Sequence, residues 1–328
     1  MNSPATPRVC IVGAGAIGCT LAARLAASGQ PVNLLTRGDT LEAIRAHGIH
    51  LSDRGGEHQV QVNAASAPTV FGEQDLVFLC TKAPALASLL PTLTPLMGPD
   101  TVVVPLVNGV PWWYFHGDSG RFTGSHVEAV DPGGALSAAL DLKHVLGAVV
   151  FITAEVLAPG RVQAPNPHLM MLGEPDNQQS PRLAQVCALL ERAGIEARAS
   201  ERIRDALWTK IIANLTSNPL SVVTGATLAQ LYGEPELKSV VSKVLNEALL
   251  TAAAYGARVS IDPPSFMELG AGMGAVRTSM LQDYEQGRAL ELAAIGDAVV
   301  ELAERQGLGM PVTRDILNLA RFRSQPAH

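Results

Sequence analysis

The sequence predicts an α/β fold, with an N-terminal Rossmann-type doubly wound sheet and a C-terminal all-helical domain. Three observations carry that expectation. The chain opens on an apolar run that passes directly into glycines spaced G-x-G-x-x-G, in RVCIVGAGAIG from Arg8 to Gly18. Short β-rich runs then alternate with longer helix-compatible stretches, as in a parallel sheet with crossover helices. From about Glu201 helical periodicity continues without a convincing strand. A chain of 328 residues has room for about two domains at roughly 150 residues each. The change of texture divides it into 1–200 and 201–328.

Taken in order, RVCIVGAG reads as the first strand and AIGCTLAARLAASG as a helix ending at Gly29. PVNLLTR, DLVFLCTK and TVVVPLVNG follow as further strands, and their continuous apolar character suits strands covered on both faces. KHVLGAVVFITAEVLAPGRVQ and HLMMLGEP read as antiparallel or edge strands around a Pro-Gly turn. SPRLAQVCALLERAG is an amphipathic helix, and GIEARASE one last strand. Beyond it, IRDALWTKIIANLTSN, EPELKSVVSKVLNEALLTAAAYG and ALELAAIGDAVVELAERQG are helices joined by Gly- and Pro-rich turns. The tail RFRSQPAH is expected to fray.

Composition narrows the function. Hydrophobic residues make up 47% of the chain, yet no apolar run approaches the roughly 18 residues of a membrane span. The opening MNSPATPR lacks the order of a signal peptide, so a soluble, cytoplasmic protein without a membrane partner is expected. Four scattered cysteines, Cys10, Cys19, Cys80 and Cys187, form neither a disulfide framework nor a metal pair, and reduced, mostly buried thiols are expected. A net charge of -6 offers no basic field for nucleic acid, so a bound anion must be met by local groups. SVVSKVLNEALLTAAAYG is compatible with packing inside one chain or across a homodimer.

The turn GAGAIG, made of Gly13, Ala14, Gly15, Ala16, Ile17 and Gly18, follows a strand and opens a helix, the context in which this spacing binds a dinucleotide. Gly13 permits the tight turn, Gly15 lets backbone approach a pyrophosphate, and Gly18 lets the helix pack against the sheet. Helix-start amides then face the anion. An NAD site places an acid about 20 residues further on, whereas a 2′-phosphate calls for Arg. Here the second strand ends with Asn33, Thr36 and Arg37. Arg37 reads as the 2′-phosphate clamp and NADPH as the cofactor. Asp39 is the alternative acid if the strand ends later, and a solvated loop charge is the plain alternative for Arg37. Lys82, ending DLVFLCTK, is placed to reach a phosphate or ribose, or is an ordinary surface lysine. Asn108 in LVNGV is placed to bind the nicotinamide ribose or substrate, or forms a turn with its glycine.

The aromatic PWWYFHG fits a pocket wall, a lid or a packing plug. In WTKIIANLTSNPL, Lys210, Asn214 and Asn218 recur every four residues, so on a helix turning about 100° per residue they form one slowly drifting polar stripe. A solvent-facing side is the plain alternative, and Pro219 is expected to force an irregularity at the last Asn. Ser279 with Gln282 fits a capping box, Asp283 and Arg288 fit surface charges, and Glu291 opens an apolar helical stretch.

Together these segments resemble the ketopantoate reductase family (2-dehydropantoate 2-reductases) over nearly the whole chain. The likeness rests on GAGAIG, Arg37, Lys82, Asn108-Gly109, W-x-K-x-x-x-N-x-x-x-N-P-L at 208–220 and S-M-x-Q-D-x-x-x-G-R-x-x-E at 279–291. The resemblance implies NADPH held in a cleft between the two domains and reduction of a small-molecule 2-keto acid to a 2-hydroxy acid. By position, Lys210 becomes the general acid and Glu291 a substrate-orienting carboxylate, the two catalytic positions. Asn214, Asn218 and Ser279 become substrate contacts, Arg37 and Lys82 lie near the 2′-phosphate, and Asn108 near the nicotinamide end. No metal is required. The segment from PWWYFHG to about Leu146 looks longer than a minimal member needs. Rival readings are another two-domain dehydrogenase acting on a 3-hydroxy acid or polyol phosphate, and a non-catalytic NADPH sensor.

Overall fold

A computed structural model describes residues 6–325. The start of MNSPATPR and the last three residues of the tail lie outside them. The chain forms two compact units. The first comprises Met1–Val107, Phe115–Gly124 and Ala135–Ile203, and the second Asn108–Tyr114, Ser125–Gly134 and Arg204–His328. The second unit thus takes two excursions from the first half of the chain.

Among the described residues the first unit carries twelve strands: β1 (Val9–Val12), β2 (Val32–Leu35), β3 (Ile49–Asp53), β4 (Gly56–Val60), β5 (Asn63–Ala65), β6 (Gln74–Leu79), β7 (Met97–Pro105), β8 (Gly147–Phe151), β9 (Glu155–Ala158), β10 (Arg161–Ala164), β11 (Leu169–Gly173) and β12 (Glu196–Ala199). Its helices are α1 (Ala16–Ala27), α2 (Gly38–His47), α3 (Leu86–Leu89) and α5 (Pro181–Arg192), with the short α4 (Ala135–Ala139). The main sheet runs β5-β2-β1-β6-β7, with every pairing parallel. Chain order therefore reverses between β1 and β6, the switch point where open α/β sheets bind ligands beyond the carboxyl ends of their strands. The expected Rossmann-type sheet is present.

The central strands are apolar on both faces because both are covered. Ile11, Leu34 and Phe78 are fully buried, and Leu21, Ala22 and Leu25 of α1 pack in the same core. Two smaller sheets complete the unit, β4-β3-β10-β9 and β12-β11-β8. β9 and β10 pair antiparallel across the Pro159-Gly160 turn, where Gly160 has φ +72°. β8 pairs antiparallel with β11. Asn33 does not reach a strand end: its side chain donates to Gln74 at 2.9 Å and accepts from Asn63 at 2.8 Å, an amide chain across the sheet. Of the four cysteines, all free, Cys10 and Cys19 are buried and the other two partly so.

The second unit is helical: α6 (Ile203–Thr224), α7 (Leu228–Gly233), α8 (Pro235–Ala254), α9 (Pro263–Gly272), α10 (Ser279–Glu285), α11 (Ala298–Arg305) and α12 (Pro311–Arg323). The tail is therefore helical through Arg323. Among the described residues no helix is long and apolar enough to cross a membrane. α6 continues through Pro219 as one helix, so the expected irregularity does not end it. The proline lacks an N–H, and hydroxyls on either side of it bond to backbone carbonyls of the same helix. Thr216 donates to the Ile212 carbonyl at 2.8 Å, Ser217 to Ala213 at 2.7 Å, and Ser221 to Asn218 at 2.7 Å.

The four aromatic residues of the stretch are core, as a packing plug requires. Trp112, Trp113, Tyr114 and Phe115 are all buried. In the second unit the Trp208 indole N–H donates to the Tyr114 hydroxyl at 2.8 Å, and Tyr255 packs edge-on against Tyr114 at 6.0 Å. In the first, Phe115 packs on Phe122.

The glycine turn depends on side chains being absent. Gly13 has φ +104°, and a Cβ there would lie 2.9 Å from Thr81. A Cβ on Gly18 would run into the Gly13 carbonyl oxygen and come within 3.2 Å of Cys80. Gly18→Ala is expected to destabilise the protein by about 1–3 kcal/mol through overpacking, read as a lower urea midpoint. An unchanged midpoint would show that α1 does not pack as closely as described.

Candidate active site

The strand ends of the first unit gather a site for an anion. β1 passes into α1 at Gly15, whose position over the helix start is open, with nothing within 4 Å of where a Cβ would project. α1 has no side-chain cap and no acid in its first turn, so its leading amides and the positive end of its dipole are left for an incoming negative group. Gly13 donates its N–H to Leu35 at 2.9 Å, tying the turn to the end of β2. These features fit a dinucleotide pyrophosphate.

β2 ends at Leu35, and Arg37 is the residue preceding α2. Arg37 is exposed, and no hydrogen bond or ion pair to another described residue engages it. Asp39 falls in the first turn of α2, so the strand end is where the sequence puts it and Arg37, not an acid, occupies the position beyond it. Lys82, also exposed, precedes a short 3-10 turn at Ala83–Ala85 after β6.

The second unit assembles the remaining candidates. α6 carries Lys210, Asn214 and Asn218 at successive turns, and the stripe is not a solvent-facing side: Lys210 and Asn214 are half-buried and Asn218 is 3% exposed. Although part of the Lys210 side chain reaches the surface, its surroundings are dense enough for desolvation to dominate. Burial pushes its ammonium down from 10.5 to about 8, against the opposing pull of Glu291. Glu291 is 6% exposed and accepts the Asn108 side-chain N–H at 3.3 Å. Asn108, Lys210 and Glu291 are 183 residues apart at the extremes, yet they form one electrostatic group.

Glu291 does not open an ordinary helix. Ala293–Asp297 is a π-helical turn that leads into α11, and the Ile295 N–H donates to the Glu291 carbonyl at 3.0 Å. The extra residue in the turn displaces the register the apolar pattern suggests.

The capping box also resolves differently. Thr278, with an extended backbone, is the residue that caps α10, its hydroxyl accepting the Leu281 N–H at 3.1 Å. Gln282 reaches the Arg277 carbonyl instead. Ser279 is thereby released: exposed, its hydroxyl donates to the Asn218 side-chain oxygen at 3.3 Å. The same oxygen accepts the Met280 backbone N–H at 3.2 Å, and the Asn218 amide donates to Asn214 Oδ1 at 3.3 Å. Asn218 therefore links α6 to α10. Asp283 is buried rather than a surface charge, with the Arg288 guanidinium donating to it at 2.8 Å. Sequence reasoning missed Thr278 and Ser221, whose hydroxyls are 2.6 Å apart; a Thr-Ser pair before a helix offers two capping choices, and only the fold picks one.

The family described as ketopantoate reductase PanE/ApbA matches residues 9–112, and its C-terminal counterpart matches 202–324. A 2-dehydropantoate 2-reductase of Mesorhizobium japonicum is 38% identical over 96% of this chain and 97% of its own. The crystal structure of a putative ketopantoate reductase from Ralstonia solanacearum superposes with TM-score 0.93 at 39% identity, covering 98% of each chain. That of the 2-dehydropantoate 2-reductase from Geobacter metallireducens gives TM-score 0.84 at 26% identity, covering 96% of this chain and 99% of that one. The chain belongs to the ketopantoate reductase family and is an oxidoreductase acting on a CH-OH group with a nicotinamide cofactor.

Proposed function

We propose that the protein reduces a 2-keto acid, 2-dehydropantoate (ketopantoate) first, to the 2-hydroxy acid with NADPH, and that Lys210 is the general acid. The observation that carries the reading is the half-buried Lys210 ammonium facing the charge of buried Glu291 on a helix otherwise lined by Asn side chains. The names of the relatives support the substrate, and residues 1–200 and 201–328 divide the work between cofactor and substrate, with Asn108 joining the second group.

The glycine turn holds the pyrophosphate through backbone amides, and Arg37 clamps the 2′-phosphate with Lys82 nearby. The cofactor, when bound, supplies the hydride that reduces the carbonyl carbon. The protein's own task is to manage the charge that this leaves on the carbonyl oxygen. Lys210 Nζ donates a proton to that oxygen and is left as the neutral amine. Its affinity for the proton, set near 8 by burial against Glu291, lies close to working pH, so it is protonated for reduction and able to release the proton. Glu291 favours the charged lysine and accepts from a substrate hydroxyl. Asn214 and Ser279 reach the surface of the site and orient the keto acid, while buried Asn218 positions both.

Four outcomes are expected. A panel of 2-keto acids with NADPH identifies ketopantoate as reduced; if none is turned over, the NADPH-sensor reading replaces this one. For the reduction, kcat/KM is expected to hold below the Lys210 value of about 8 and to fall as pH rises through it, because the ammonium form is lost. Lys210→Ala is expected to lower turnover by about 10²–10⁴-fold while leaving NADPH affinity, measured by fluorescence titration, intact. In Arg37→Ala the preference for NADPH over NADH is expected to shrink by about tenfold or more, as loss of one charge-assisted contact implies. Equal use of both cofactors by the unaltered protein would remove the Arg37 assignment.

A further inference from the structure

Immediately after Glu291 the chain makes the π-helical turn Ala293–Asp297, and the segment that carries Asn108 is pressed onto it. The Val110 N–H donates to the Ala294 carbonyl at 2.8 Å. Gly109, between Asn108 and Val110, has φ +78°, in the left-handed region that favours glycine. A Cβ on it would run into the Ala294 carbonyl group and lie 2.7 Å from the Ile295 nitrogen. These are backbone atoms, so nothing flexible could yield. The π-turn is fixed on its other side as well, since Gly296 is bare where Leu317 of α12 packs. One residue before Gly109, the Asn108 side-chain amide donates to Glu291 Oε2 at 3.3 Å. One turn before Ala294 stands Glu291 itself, its carbonyl taken by the Ile295 N–H.

We propose that the π-turn and Gly109 form a positioning clamp, in which backbone contact between Gly109-Val110 and Ala294 sets where the Asn108 amide meets Glu291, and thereby how strongly that carboxylate acts on the Lys210 ammonium. The inference rests on the proposed role of Lys210 for its catalytic meaning. Gly109 and the π-turn are positioning elements: neither needs to touch substrate. A turn with regular α-helical register would place the Ala294 carbonyl differently relative to Glu291, and a side chain at 109 would lift Asn108 away. In either case Glu291 loses the Asn108 amide as a donor to its carboxylate, and the attraction that opposes Lys210 desolvation weakens.

The test is titration of Lys210 itself, followed by NMR of ¹³C-labelled lysine in the full-length, ligand-free protein, with Lys210→Arg used to assign the signal. In Gly109→Ala the midpoint is expected to fall by at least about half a pH unit, a roughly threefold loss of proton affinity. Asn108→Ala, which keeps the glycine contact and removes only the amide, is expected to shift it the same way, and the double variant no further than the larger single shift. In turnover with ketopantoate, the high-pH limb of kcat/KM is expected to move acidward in step. A folded Gly109→Ala protein with lowered Tm but the original midpoint, or a raised one, overturns the clamp and leaves a merely structural glycine. Should Gly109→Ala fail to fold, Asn108→Ala decides, and an unmoved midpoint there is equally fatal. Because the titration needs neither substrate nor cofactor, absence of ketopantoate turnover with a shifted Lys210 midpoint would refute the substrate reading while sustaining the clamp.

Discussion

A lysine ammonium drawn out of water beside a buried carboxylate is the constraint that the helical unit is organised to satisfy. Neither charge is stable there alone. An isolated ion in such surroundings loses several kcal/mol of hydration, and only a well-placed partner with further hydrogen bonds offsets the loss. Glu291 meets that need through the charge of Lys210 and the N–H of Asn108. The compensation is incomplete by design of the site: desolvation outweighs attraction, and the lysine holds its proton less tightly than in water. A group with that balance gives up its proton more readily than an ordinary surface lysine does.

The first unit solves a different electrostatic problem by different means. A chain with net charge -6 has no general attraction for a polyanionic ligand, so local groups must supply it. They come from the backbone. Two glycines with no room for side chains bring α1 against the end of β1, and a third leaves space above the uncapped helix start. Arg37 adds an exposed cation that no acid among the described residues engages. Close packing on one side of the turn and openness on the other are two consequences of the same missing Cβ atoms.

Polar side chains inside α6 serve the fold and the site at once. The helix continues through Pro219, with hydroxyl and amide donors bonded to its carbonyls on either side, and this continuity keeps Asn218 in register with Asn214 and Lys210. Asn218 then spends its oxygen on Ser279 and on a leading amide of α10. Truncating it would leave the buried Met280 N–H without its acceptor and free the exposed Ser279 hydroxyl, so the placement of its neighbours would change.

Much of this was legible in the residues. Strand, glycine turn and helix are encoded within some thirty positions, because hydrophobic runs, φ-permissive glycines and an amphipathic period are local properties. Lys210, Asn214 and Asn218 announced a common face because helical spacing alone brings them together. The sheet pair that includes the hairpin of β3 and β4 went unread, its two polar strands IHLSD and GEHQV giving weak alternation around Arg54-Gly55. Other choices lay beyond local reading. That Thr278 rather than Ser279 caps α10, that Trp112 to Phe115 are core, and that Glu291 precedes a π-turn each depend on what packs opposite. The sequence by itself therefore determined the kinds of groups available and the faces they share, since those follow from backbone geometry. Only the tertiary structure decided that Asn108 meets Glu291 beside Lys210, because burial and contact between residues distant in the chain are settled by packing, which no local pattern contains.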